Sequence, residues 1–193
     1  MIGMVTNGGG WRSGGLRLAM WGALGALLAL PGAAMALRAP GVVWTASDFI
    51  VMGAMLGFVG LGVELLVRAS TSLAWRAGAV AALLAAFMTV WANLAVGMIG
   101  NEGDRYNLIF LGVVLLALAG SILARFRASG MAKAMGVAAA VQAAAGALGF
   151  TLDPRGAVLS TLFAGPWLLA AILFAGAARQ GRGPSGPRSC VGG

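Results

Sequence analysis

The chain has 193 residues, of which 60% are hydrophobic and only 9% are charged, and its net charge is +8. An ordinary soluble domain has roughly 25% charged residues, so 13 basic and 5 acidic side chains are too few to cover a surface that contacts water. This composition excludes a soluble globular enzyme and indicates that the protein is surrounded by lipid.

The side chains that most often bind metals or act as nucleophiles are nearly missing. The chain has no His, and its one Cys, Cys190, lies in a tail rich in Gly, Pro and Arg. This excludes metal sites and haem ligation built from His or Cys, Ser-His and Cys-His nucleophile pairs, and disulfides within the chain. We therefore expect no cofactor and no enzyme activity.

Six apolar blocks lie between two polar tails. A flexible N-terminal tail is predicted over residues 1–15 and a disordered basic C-terminal tail over residues 179–193. The blocks cover residues 16–37, 45–67, 77–99, 108–124, 134–151 and 157–178, close to the roughly 17 to 25 residues that a spanning helix needs. Because open strands would leave backbone groups unpaired in lipid, the predicted fold is an all-α bundle of six transmembrane helices.

The basic residues are distributed unequally between the two ends of these blocks. Arg38, Arg105 and Arg155 lie on one side of the predicted membrane, and the other basic residues lie on the opposite side. The positive-inside rule then predicts that both termini are cytoplasmic. Abundant Ala, Gly and Arg are typical of a GC-rich bacterial genome, so the expected location is the bacterial inner membrane. Because topology explains the net charge, no nucleic acid partner is expected.

The first block also has the three parts of a cleavable signal peptide. Arg12 and Arg17 precede an apolar run over residues 18–30, and small residues follow at 34–36. A retained helix is favoured because the apolar stretch continues to Leu37 and is long enough to span a membrane. Cleavage would leave five helices and place the new N-terminus outside the cell.

Two acidic residues lie within the second block. Glu64 is one turn inside Arg68, and a charge within a span suggests a role in moving a proton or a cation. The i, i+4 spacing also lets Glu64 pair with Arg68, which is the favoured interpretation. Asp48 is about 24 Å away along the helix axis. The two acids therefore form no dyad, which disfavours an aspartyl intramembrane protease.

The densest polar stretch covers residues 91–108. Asn93 lies inside the outer end of the third helix, and Asn107 is placed to cap the fourth helix. One interpretation is an outward-facing polar pocket, and the candidate transport residues are then Asp48, Asn93, Glu64 and Glu102. The favoured interpretation is that Asn93 bonds between helices and that the segment from Glu102 to Asn107 is a tight turn.

Small residues predict close contacts between helices. Gly53, Gly57 and Gly60 share a face of the second helix in a GxxxG-type pattern, and Gly97 lies at the end of the third helix. Gln142 is expected to be buried and to make an interhelical hydrogen bond. The expected partners are the lipid bilayer and the helices of other membrane proteins.

Four segments of the chain form a pattern that is shared with other proteins: SDF at 47–49, NLAVGMIGNE at 93–102, NL at 107–108 and ARFRASGMAKA at 124–134. In these segments the chain resembles a group of small bacterial multi-pass membrane proteins to which no activity is assigned. The resemblance covers residues 44–142 and centres on the motif W-x-N-L-A-V-G-x-I-G-x-E. In that group the turn after the Glu reads Asn-Pro-Ala-Asn, whereas only the final Asn, Asn107, agrees here. The resemblance implies membership and topology but no function.

The sequence therefore predicts a non-enzymatic membrane component or accessory subunit. The alternative is a small transporter or channel for a cation or a proton. A third and weaker alternative is an enzyme that acts on lipids through the acidic turn. That enzyme would need a metal, and Glu102 with Asp104 offers two hard oxygen ligands where about six are needed.

Overall fold

A computed structural model describes residues 9–181, and every regular element in this range is helical. The helices are α1 (Gly9–Ala36), α2 (Ala46–Ala69), α3 (Leu73–Ala95), α4 (Leu108–Leu123), α5 (Ala128–Leu148), α6 (Pro154–Leu162) and α7 (Ala164–Gln180). Six helical segments in this range are long and apolar enough to cross a membrane, and α6 with α7 forms the sixth. The predicted all-α fold with six spans is confirmed.

The two predicted tails fall largely outside the described residues. Helix α1 already begins at Gly9, within the segment predicted as a tail over 1–15. Helix α7 continues to Gln180, and the predicted tail beyond Gly181 is not described. Helix α1 also continues through Pro31 to Ala36, close to the predicted end of the first block at Leu37.

Helices α3 and α5 begin earlier than hydropathy predicts. Helix α3 begins at Leu73, where the Ser72 hydroxyl accepts a hydrogen bond from the Trp75 backbone N–H. Helix α5 begins at Ala128 although its first turns contain polar residues. Hydropathy finds only the part of a helix that crosses hydrocarbon, whereas capping and polar first turns extend the helix into the interface.

The sixth span is two helices instead of one. Helix α6 ends at Leu162, and α7 begins at Ala164. Pro166 explains the break, because proline has no backbone N–H and its ring collides with the carbonyl group four residues earlier, that of Leu162. The sixth predicted span is confirmed, and the structure adds a break at Phe163 within it.

Helix α1 and the part of α2 up to Leu65 form an antiparallel hairpin in the first of two compact units. The pairs in contact are Gly32 with Phe49, Gly53 with Leu28, and Gly60 with Trp21. The residue numbers in these pairs decrease along α1 as they increase along α2, so the two helices are antiparallel. Gly57 differs from its two neighbours on the predicted face, because a Cβ atom at Gly57 would meet no atom within 4 Å.

The described residues from Leu66 onward form the second unit, which contains α3 to α7. Helix α5 packs against α4, α6 and α7, and α3 packs against α4 and α7. Many of the buried core residues are Ala, which lets the helix backbones approach closely. The Trp75 and Phe174 rings meet edge to face in this core, with their centroids 5.8 Å apart. A second, smaller core that includes Ile99 and Phe110 lies in the same unit.

The contact between α5 and α6 gives a test of this packing. A Cβ atom at Gly146 would lie 2.6 Å from the Thr161 backbone nitrogen, whereas one at Gly136, also on α5, would meet nothing within 4 Å. We expect Gly146→Ala to lower stability by about 1 to 3 kcal/mol through overpacking. Gly136→Ala should leave stability unchanged or slightly raise it. Thermal unfolding in detergent measures both, and equal melting temperatures for the two variants would contradict the close contact.

Candidate functional site

A tight loop follows α3 and brings polar groups together at one end of the second unit. The backbone has positive φ at Gly97 (75°) and at Gly100 (72°). A side chain at Gly97 would collide with the backbone of Asn101. The structure therefore places Gly97 in a turn that favours glycine, and not in a contact between helices.

Asn107 holds this loop with four hydrogen bonds from one buried side chain, which is 3% exposed. Its Oδ1 atom accepts from the backbone N–H groups of Met98 at 3.0 Å and Ile99 at 2.9 Å. Its Nδ2 atom donates to the carbonyl oxygens of Ile99 at 3.1 Å and Asn101 at 2.6 Å. Asn107 does precede α4, but its side chain makes no capping hydrogen bond to that helix. Its polar atoms are committed to the loop.

Asn93 connects α3 to the start of α4. The side chain is 5% exposed, and its Nδ2 atom donates to the Asn107 carbonyl oxygen at 2.7 Å. The Asn93 amide is buried in an apolar interior, where an unpaired polar group would be costly. Asn93 thus bonds to protein backbone in a buried contact.

Other polar side chains extend the cluster to α5 and α6. The Ser160 hydroxyl donates to the Met98 carbonyl oxygen at 2.8 Å, and Gln142 Nε2 donates to the Ser160 carbonyl oxygen at 3.1 Å. Gln142 therefore makes the interhelical bond that the sequence predicts. The Tyr106 hydroxyl donates to the Ala145 carbonyl oxygen at 2.8 Å. In each case a side chain satisfies a backbone carbonyl group.

The acidic residues near this loop serve mainly as acceptors for backbone N–H groups. Asp153 accepts from Arg155 N at 3.1 Å, at the start of α6, and from Gly100 N at 3.2 Å. Backbone hydrogen bonds, chiefly from Gly156 and then from Gly100, hold the pKa of Asp153 below its ordinary value. Asp104 accepts from Tyr106 N at 2.9 Å. Asp104 is thus bonded to the backbone of its own turn.

Glu102 differs from these acids. Its side chain is exposed and makes no hydrogen bond to any residue in the described range. Within the described residues, no group of three or more His, Cys, Asp or Glu side chains is arranged to hold a metal ion.

Asp48 lies at the start of α2, in the first unit. Its Oδ2 atom accepts from the Thr45 backbone N–H at 2.7 Å and from the Thr45 hydroxyl at 2.8 Å. A Thr followed three residues later by an acidic side chain is the pattern of a capping box. This signal is present in the sequence. It indicates a helix start, and a transport role is not needed to explain Asp48.

Glu64 lies near the opposite end of α2 and bonds to α1. Its Oε1 atom accepts from Arg17 Nε at 2.5 Å and from Trp21 Nε1 at 2.7 Å, and its side chain is 14% exposed. The i, i+4 spacing in the sequence predicts a pair of Glu64 with Arg68, but it does not predict either partner on α1. The i, i+4 spacing of Arg17 and Trp21 is the signal that places both donors on one helix face.

Three buried polar atoms make no hydrogen bond within the described part of the chain. They are Thr89 Oγ1, Gln142 Oε1 and Trp167 Nε1. The atoms belong to α3, α5 and α7, which pack together in the second unit. The rest of the buried polar side chains in this unit are bonded mostly to backbone.

Comparisons of the chain with models of protein families, with curated proteins and with solved structures find no match. The functional interpretation therefore depends on the geometry of the chain itself.

Asn107 provides a test of the loop described above. We expect Asn107→Ala to lower stability by about 3 kcal/mol, because it removes four hydrogen bonds and leaves buried backbone groups unpaired. Asn101→Ala is the matched control, since its exposed side chain accepts a single bond from Gly103 N. Thermal unfolding in detergent should show a large decrease for Asn107→Ala alone, and equal effects would contradict the role of Asn107.

Asp153 provides a pH-dependent test. Because its native pKa is below the ordinary 3.8, the stability it contributes is complete above pH 3.8 and is lost as the pH falls through the native pKa. The melting temperature of the wild type should exceed that of Asp153→Ala at about pH 6, and the difference should narrow below pH 3.8. Glu102→Ala is the control and should change little at either pH. A difference for Asp153→Ala that does not vary with pH would contradict the assignment.

Proposed function

We propose that the protein is a non-enzymatic multi-pass component of a bacterial inner membrane that acts as an accessory subunit, with both termini in the cytoplasm. The observation that supports this most directly is how three of the four candidate transport residues are used. Asp48 caps its own helix, Glu64 bonds to α1, and Asn93 bonds to the backbone before α4. Side chains committed to such bonds are poorly suited to bind and release a solute.

The surface of the helices also supports a role based on contacts. Large apolar side chains are exposed on every span, for example Phe58 of α2, Leu115 of α4 and Ile172 of α7. The connections between described helices are short, so they contain no soluble catalytic domain. Surfaces of this kind fit lipid and the helices of a larger membrane assembly. The resemblance of residues 44–142 to small bacterial membrane proteins agrees with this proposal and adds no activity.

A small cation or proton transporter is the second candidate. The unpaired oxygens of Thr89 and Gln142 favour it, because unpaired polar atoms within a span often mark a solute pathway. The carboxylates of Asp48 and Glu64 count against it, because both are hydrogen-bonded to other groups of the protein.

Reconstitution into liposomes distinguishes the two candidates. For an accessory subunit, we expect the isolated full-length protein to give no proton or potassium flux above that of protein-free vesicles. Tagged protein purified from its native membrane in mild detergent should retain a second polypeptide in a constant ratio.

The transporter would be supported instead by flux from the isolated protein that Glu64→Gln abolishes. Asn101→Ala is the control for that comparison, because it changes an exposed amide in a loop. Such a result would overturn the proposed accessory role.

A further inference from the structure

A groove of about 860 Å³ lies between α3 and α7 in the second unit. Its walls are formed largely by apolar side chains, including Leu84 and Met88 of α3 and Leu169 and Leu173 of α7. Arg76, in the first turn of α3, is the charged residue among those that line it. The groove therefore combines one cationic side chain at one end with walls that are otherwise largely apolar.

The length of the groove corresponds to one leaflet of a membrane. Arg76 and Met88 are twelve residues apart on α3, which is about 18 Å along the helix axis. The hydrocarbon of one leaflet is about 15 Å deep, half of the roughly 30 Å of a bilayer. An acyl chain whose headgroup lies at Arg76 would therefore end near Met88, whereas a partner helix would cross both leaflets.

The guanidinium group of Arg76 is available to an anion. Arg76 Nε donates to the Ser70 carbonyl oxygen at 2.6 Å, which positions the group, and its terminal nitrogens bond to no other described residue. Guanidinium binds phosphate oxygens in a bidentate manner. The amino end of α3 adds a favourable partial charge at the same place. No Asp or Glu lines the groove, so nothing there would pair with the cationic amine of a zwitterionic headgroup.

We propose that this groove binds a phospholipid with an anionic headgroup. The phosphate contacts Arg76, and one acyl chain lies between α3 and α7. This inference does not depend on the accessory role, because a transporter with the same fold would bind the same lipid.

Native mass spectrometry of the full-length protein from equal phosphatidylglycerol and phosphatidylcholine tests the headgroup. One Arg near a headgroup contributes enough for about fivefold preferential retention of phosphatidylglycerol. Arg76→Gln should remove this preference, and Arg76→Lys should keep most of it because the charge remains. Arg105→Gln changes an exposed Arg outside the groove and should retain the preference. Equal retention of both lipids by the wild type, or an unchanged preference in Arg76→Gln, would overturn the proposal.

A second pair of variants tests the acyl chain. Gly165 lines the groove, and a Cβ atom there would meet no atom within 4 Å. The side chain introduced by Gly165→Leu should therefore occupy part of the groove. We expect Gly165→Leu to retain fewer lipids of both kinds, whereas Gly136→Leu on α5 should behave as the wild type. Circular dichroism and monodispersity verify that each variant is folded. A wild-type dimer that Gly165→Leu dissociates would assign the groove to a second copy of the chain and overturn the lipid assignment.

Discussion

The constraint on which the structure depends is that backbone polar groups have few water partners inside a membrane. A continuous helix satisfies its own N–H and C=O groups, but every turn leaves some of them unpaired. In the second unit, the turn after α3 has several buried backbone groups that need partners. Asn107 satisfies them with four hydrogen bonds from one side chain, and Asn93 donates a hydrogen bond to the Asn107 carbonyl oxygen at the start of the next helix. The polar cluster is therefore explained by the needs of the backbone.

The same constraint applies to the other polar side chains within the spans. Polar side chains within spans are expensive, so each of them invites a functional interpretation. Here Ser160 and Gln142 satisfy carbonyl groups, and Asp48 and Asp153 cap helices. Glu64 is the exception, because its bonds to Arg17 and Trp21 join two helices that the hairpin brings together. Hydrogen bonds within the protein are therefore enough to explain why these polar residues lie within spans.

Arg76 differs from these side chains, because only part of its guanidinium group is hydrogen-bonded within the protein. Its Nε atom bonds to the Ser70 carbonyl group, and the rest of the guanidinium lies beside an apolar groove. No backbone requirement accounts for that combination of charge and shape. Within the described residues, Arg76 therefore places a partly bonded guanidinium group beside an apolar groove between α3 and α7.

The sequence by itself determined that the chain is all-α and has six spans, because hydropathy is a local property that each segment carries independently. It also contains the capping box at Thr45 and Asp48, a signal that spans only four residues. The break at Phe163 could have been inferred from Pro166, since a proline affects the turn that precedes it.

Only the tertiary structure decided which groups meet across the chain. Glu64 is 47 residues from Arg17, and Ser160 is 62 residues from Met98. Gly57 and Gly60 look equivalent in the sequence, yet Gly60 alone packs closely against α1. The groove at Arg76 likewise exists because α7 lies beside α3. Such pairings depend on how helices dock, and an apolar span has few local features that determine which face its neighbour covers.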